Sequence, residues 1–194
     1  MFITDRLLFI HIPKNGGTSV REHLAQNLKG TYVKRHLTYD QAINHFPDLK
    51  EKVSFCIVRN PFDRFVSIYR MNNQENRLKK VFGKEYLIVK NKIDTFDKFI
   101  KNFQLPKNRW FGNNIFTPQK MWANNVDYIF KLEEPERLIK FLKSNGVKGN
   151  LPLLNNRETP SWKNKFYQKF YNSQTKKIIE EKFLIDLREF NYEF

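Results

Sequence analysis

The chain has 194 residues, 40% of them hydrophobic, which suits one domain with a proper core. Lys and Arg number 35 against 20 Asp and Glu, a formal net charge of +15, so the surface is either lysine-rich and simply solvated or attracts an anionic partner such as a sulfated glycan or nucleic acid. A single cysteine, Cys56, excludes an internal disulfide, 7 Gly and 8 Pro argue against a long disordered linker, and no signal peptide or membrane span is visible.

Met1 to Arg6 reads as a short polar lead-in. Leu7 to Ile12 is an apolar run with the length of a buried strand, and Pro13 stops it because proline has no N–H for a ladder. Lys14, Asn15, Gly16, Gly17, Thr18 and Ser19 follow, then a helix to Leu28 with apolar Val20 and Leu24. A strand, a glycine loop and a helix start aim several N–H groups and the positive end of a helix dipole at one spot, where an anion fits. Adjacent glycines let the backbone approach that anion closely, and Lys14 adds a full charge at the mouth. The lysine precedes the glycines, so this is not the G-x-x-x-x-G-K-[ST] loop of ATP-binding proteins. Gly30 is the expected C′ residue of the first helix, Thr31 to His36 reads as a short strand, and Thr38 caps a helix that Pro47 stops.

Val53 to Val58 is apolar almost throughout, as a strand covered on both faces should be. Cys56, inside this run, reads as a buried small hydrophobe. The strand ends in Arg59-Asn60-Pro61, where Asn60 can cap a helix and Pro61 fits its first turn. That helix carries Phe62, Phe65, Val66 and Tyr69 on one face. Two such junctions in one parallel sheet can lie side by side at the carboxyl ends of the strands. Arg59 can hold a phosphate through its planar fork and Ser67 can add a hydroxyl donor; the competing reading pairs Arg59 with a carboxylate such as Asp63. Residues 71–92 read as a basic excursion, Thr95 opens a helix that Pro106 ends, and 108–119 is loop-like. A short helix over Lys120 to Asn124, a strand over Val126 to Lys131 and a helix from Glu133 to a Gly146 cap come next. Leu151 to Glu158 is a loop, and Lys165 to Asn172 and Ser173 to Leu187 are two closing helices. Trp110, Phe111 and Trp122 belong either to the core or to a surface on which sugars stack.

The run His11 to Ser19, HIPKNGGTS, resembles the 5′-phosphosulfate loop of sulfotransferases that use PAPS (3′-phosphoadenosine 5′-phosphosulfate). In the carbohydrate branch it often reads H-I-P-K-T-G-G-T-S, and this chain differs at Asn15. Cys56 to Tyr69 resembles the 3′-phosphate motif of the same enzymes, V-R-N-P-x-D-R-x-x-S-x-Y. More weakly, VDYIFKLEEPERLIKFL, the L-P-x-x-N loop at Leu151 and IDLREFNYEF resemble later segments of the family.

The resemblance implies an α/β, three-layer P-loop-like fold with a central parallel sheet flanked by helices, over a single domain, 1–194. It implies PAPS as sulfuryl donor, adenosine 3′,5′-bisphosphate as product and no metal. Lys14, Asn15, Gly16, Gly17, Thr18 and Ser19 would cradle the 5′ end, Arg59 and Ser67 the 3′-phosphate, and Asn155, Arg157 and Thr159 of the late loop would add contacts. In the heparan sulfate 2-O-sulfotransferase branch an H-x-H pair supplies the base; its second position matches His36 and its first is Lys34 here. His36 is therefore the expected base and Lys14 the group that neutralises the leaving phosphate, with Asp40 or Glu75 as alternative bases. The expected acceptor is a hydroxyl of an anionic or neutral glycan, with no specific nucleic-acid partner. The expected setting is the cytoplasm, or the Golgi lumen if an anchor precedes the chain. Two rival readings remain: a nucleotide or small-molecule kinase built on the same cradle, and a non-catalytic polyanion binder.

Overall fold

The computed structural model describes residues 1–33, 36–72, 90, 93–102, 115–149, 151 and 163–194. The strands are β1 (Phe2–Thr4), β2 (Leu7–Ile10), β3 (Gly30–Tyr32), β4 (Val53–Val58) and β5 (Tyr128–Lys131). The helices are α1 (Gly17–Asn27), α2 (Tyr39–His45), α3 (Pro61–Asn72), α4 (Phe96–Asn102), α5 (Gln119–Ala123), α6 (Pro135–Ser144), α7 (Ser173–Lys182) and α8 (Leu184–Glu189). Two compact units result, Met1–Arg59 with Thr117–Glu158, and Asn60–Phe116 with Thr159–Phe194.

The first unit holds a five-stranded sheet in the order β3-β1-β2-β4-β5. Its β2, β4 and β5 run parallel, with Phe9 opposite Phe55 and Ile57 opposite Phe130. The sheet is mixed rather than wholly parallel, because β1 lies antiparallel to both β2 and β3. Met1 to Arg6 is thus not a polar lead-in: Met1 and Phe2 are buried, and the Thr4 hydroxyl accepts from the Leu7 N–H at 2.8 Å to turn the chain into β2. Gly30 opens β3 instead of capping α1, which ends in extended Leu28. A Cβ at Gly30 would stand 2.6 Å from the Ile3 carbonyl oxygen and 2.6 Å from the Phe2 ring, so the close approach of β3 to β1 requires glycine there.

Alternate residues of the parallel strands, Leu7, Phe9, Phe55 and Ile57, pack with Val20 and Leu24 of α1 and Leu138 and Leu142 of α6. Their neighbours Leu8, Ile10, Cys56 and Val58 are also buried, as expected for strands covered on both faces. The strand β4 spans Val53–Val58 as the apolar run predicts. Thr38 caps α2 with a full capping box, its hydroxyl accepting from the Gln41 N–H and the Gln41 side chain accepting from the Thr38 N–H. Just before β5, Asp127 accepts from both the N–H and the hydroxyl of Ser54, each at 2.7 Å, which fixes β5 against β4.

The described residues of the second unit form helices around an aromatic core. Phe62, Phe65 and Val66 of α3 pack with Phe96, Phe99, Tyr167, Ile179 and Phe183. Asn60 caps α3, accepting from the Phe62 N–H at 3.0 Å, and donates to the Glu193 carbonyl at 2.8 Å. The closing stretch departs from the expected pair of helices. Lys163–Phe170 is a 3-10 segment kinked at Asn164 and Lys165, both at positive φ. The single helix expected over Ser173 to Leu187 breaks at Phe183, whose non-helical backbone (φ −115°, ψ 24°) accompanies a side chain buried in the core.

Candidate active site

The loop after β2 bends through two left-handed residues, Lys14 at φ 71° and Gly16 at φ 75°, on either side of Asn15. Gly16 tolerates this at no steric cost, whereas Lys14 holds a conformation that L side chains rarely adopt. Both glycines are also needed for space. A Cβ at Gly16 would stand 2.9 Å from Leu132 Cδ1, and one at Gly17 would run into the His11 ring. The N-terminus of α1 has no side-chain cap and no acidic residue in its first turn. The Ser19 N–H donates to the Gly16 carbonyl at 3.1 Å, and the start of such a helix carries the positive end of its dipole. Lys14, Gly16 and Ser19 are half-buried, and Thr18 is exposed.

Asn15 is buried, and its side chain turns into the fold. Its Nδ2 donates to the Ile57 carbonyl at 2.7 Å and to Gln119 Oε1 at 2.6 Å. Its place in the expected cradle thus falls to its main chain. At the end of β4, Arg59 is also buried, and its Nη1 donates to the Lys14 carbonyl at 2.9 Å. The guanidinium of the second junction is in this way tied to the loop of the first. Gln119, which the sequence left at the edge of a loop, is completely buried beside both and joins Asn15 to the Arg59 backbone.

His36 stands next to the same loop. Its Nδ1 is 3.0 Å from the His11 carbonyl oxygen. A carbonyl can only accept, so Nδ1 carries a proton, and in the neutral tautomer with this bond the lone pair is on Nε2. The His11 ring meets His36 edge to face at 4.8 Å and stacks on Phe9 at 5.7 Å. Burial above all, and then the His36 ring, hold the His11 pKa down to about 3, so His11 is a neutral packing group. His36 and Arg59 are thereby anchored to main-chain carbonyls of one loop, those of His11 and Lys14.

Ser67 lies half-buried on α3 in the second unit. Asp40 accepts from Asn125 at 3.0 Å and Asn124 at 3.4 Å, which gives it a role in holding the turn before β5. Trp122 is fully buried and belongs to the core. Cys56 is fully buried, and burial pushes its thiol far up, which leaves no thiolate for chemistry. Asn155, Arg157, Thr159, Glu75, Trp110 and Phe111 lie outside the described residues.

Loop amides, an ammonium and a guanidinium are donors of the kind that suits phosphate and sulfonate oxygens, and the His36 imidazole is held on the His11 carbonyl at the start of the same loop. Among the described residues no group of three or more His, Cys, Asp and Glu side chains is placed to hold a metal, and no helix is long and apolar enough to cross a membrane. A model of the sulfotransferase family matches residues 1–193, and so runs through both units. No curated protein matches the chain.

Proposed function

Because the chain belongs to the sulfotransferase family and is therefore a sulfuryl-transferring enzyme, we propose that its donor is PAPS and its acceptor a carbohydrate hydroxyl. One observation carries the donor reading: the uncapped, acid-free start of α1 follows a loop whose Lys14 carbonyl binds the Arg59 guanidinium. This supplies two positive centres at one loop, and PAPS is an adenine nucleotide with phosphates at both its 5′ and 3′ positions. The acceptor reading rests on the HIPKNGGTS run, which resembles the carbohydrate branch, and on the net charge of +15, which suits an anionic glycan.

PAPS, when bound, supplies the sulfuryl group and departs as adenosine 3′,5′-bisphosphate. The main-chain amides from Lys14 to Ser19 would hold its 5′ end, and Arg59 its 3′-phosphate; Ser67 joins Arg59 on sequence position alone. The Lys14 ammonium would lower the energy of negative charge on the leaving phosphate. Nε2 of His36 takes the proton of the acceptor hydroxyl, while Nδ1–H stays fixed on the His11 carbonyl. The anchored ring loses little freedom when it acts, which favours the transfer geometry.

The test is a panel of glycan, lipid, phenol and small-alcohol acceptors offered with radiolabelled PAPS, with Lys14→Ala as the blank. Label transferred to a glycan supports both parts of the proposal. Label on a non-carbohydrate acceptor alone overturns the acceptor reading. Tighter binding of ATP than of adenosine 3′,5′-bisphosphate overturns the donor reading.

A further inference from the structure

Gln119 opens α5, a helix of five residues, and has no exposed surface at all. A buried amide is costly unless both its ends find partners. Three hydrogen bonds of Gln119 run to the framework of the candidate site. Its Oε1 accepts from Asn15 Nδ2 at 2.6 Å and from the Arg59 N–H at 2.9 Å. Its Nε2 donates to the Arg59 carbonyl at 2.8 Å. The two bonds to Arg59 are those that a residue of a neighbouring strand would make. They continue the ladder one residue beyond Val58, whose own carbonyl is taken by the Leu132 N–H at 2.8 Å.

A closed circuit results within the first unit. Asn15 donates to the carbonyl of Ile57 and to Gln119, Gln119 grips both backbone groups of Arg59, and the Arg59 side chain returns to the Lys14 carbonyl. Arg59 lies one residue past the end of β4, and the two bonds from Gln119 fix the height of its backbone against the loop. Hydrogen bonds of this kind orient the groups that touch a ligand without touching it themselves.

We propose that Gln119 is the positioning residue that sets the register between the 5′ cradle and the Arg59 guanidinium. The proposal rests on the PAPS reading above. It acts through Asn15 and Arg59, and its signature is selective: a ligand with two phosphates depends on that register, and a ligand with one does not.

The experiment is calorimetric titration of wild type, Gln119→Leu and Gln119→Glu with adenosine 3′,5′-bisphosphate and, separately, adenosine 5′-monophosphate, folding being checked by circular dichroism. Gln119→Leu removes the three bonds to Asn15 and Arg59 at similar volume. Its preference for the bisphosphate is expected to fall by about tenfold, with the monophosphate Kd changed by less than about threefold. Gln119→Glu, ionised, keeps both acceptor bonds and sets a second acceptor oxygen against the Arg59 carbonyl in place of the donor; a loss of preference is expected here too, and it carries the test if the leucine variant does not fold. An unchanged preference in a folded variant overturns the positioning role. So does an equal weakening of both ligands, which would mark Gln119 as a support of the cradle alone. A wild type that does not prefer the bisphosphate overturns the donor reading instead, and this proposal with it.

Discussion

The Nδ1–H of His36 donates to the main-chain carbonyl of His11 across 3.0 Å, while the two rings meet edge to face at 4.8 Å between centroids. The bond selects one tautomer and turns the basic nitrogen, Nε2, away from the loop backbone. The His11 ring is buried and neutral, so it packs against His36 without a repelling charge.

Removal of the imidazole should therefore damage turnover and spare cofactor binding. In His36→Ala, kcat is expected to fall by about 10²–10⁴-fold, the usual worth of a general base, with the Kd for adenosine 3′,5′-bisphosphate little changed. Steady-state kinetics on the acceptor found by the screen, paired with titration calorimetry, checks this. Near-normal turnover in His36→Ala together with a collapse in Asp40→Asn would move the base to Asp40.

Lys14 combines a charge with a strained backbone. Its φ of 71° is unfavourable for any residue with a Cβ and is carried at the mouth of the cradle. Lys14→Gly removes the ammonium and the strain together. Its unfolding free energy should be unchanged or raised by up to about 1 kcal/mol, since glycine's relief at positive φ outweighs its greater freedom when unfolded. Sulfuryl transfer should still be lost, as in Lys14→Ala. Urea denaturation and the radiolabel assay measure the two effects. A clearly destabilised Lys14→Gly would show that the side chain supports the fold rather than the chemistry.

The sequence made the parallel core and its junctions readable, because local signals agree there. Val53 to Val58 is apolar but for Ser54, Asn60 and Thr38 are strong N-caps, and both formed their caps. The hairpin partner β1 was hidden because Asp5-Arg6 is not one of the usual two-residue turn pairs; the Thr4 hydroxyl does the turning instead. Gly30 looked like a helix cap, but its constraint comes from Phe2 and Ile3 across the sheet. Gln119 gave no local sign of its role. Its partners Arg59 and Asn15 lie 60 and 104 residues away along the chain, and only the closed sheet brings them together. The same holds for His36, whose tautomer is set by a carbonyl 25 residues earlier.

Gly17 and His11 should be energetically coupled. The His11 ring occupies the space a Cβ at Gly17 would need. Gly17→Ala alone is expected to destabilise the protein by about 1–3 kcal/mol through overpacking and to weaken bisphosphate binding. In a His11→Ala background the added methyl has room, so the extra cost should shrink by about 1 kcal/mol or more. Denaturant melts of the four proteins in this cycle give the coupling. Strictly additive costs would mean that the ring and the glycine do not compete for the same volume.

The stability of the first unit should depend on His11 in acid. Its folded pKa, held down to about 3 mainly by burial, lies below the 6.5 of a free imidazole. Between those two values the unfolded chain binds a proton at this position that the folded chain refuses. Unfolding is then favoured as pH falls, by up to about 1.4 kcal/mol for each tenfold rise in proton concentration. The contribution is complete above pH 6.5, declines from there toward pH 3, and is flat below it. His11→Gln cannot gain the proton, so its unfolding free energy should fall less steeply over that window than that of wild type, although carboxylate titration still acts on both below about pH 5. The comparison is best made from urea melts between pH 5 and 6.5, where His11 titrates in the unfolded chain and most carboxylates do not. Parallel pH slopes for the two proteins would mean that the folded state accepts a proton on His11 after all, through a shift of the ring away from Gly17.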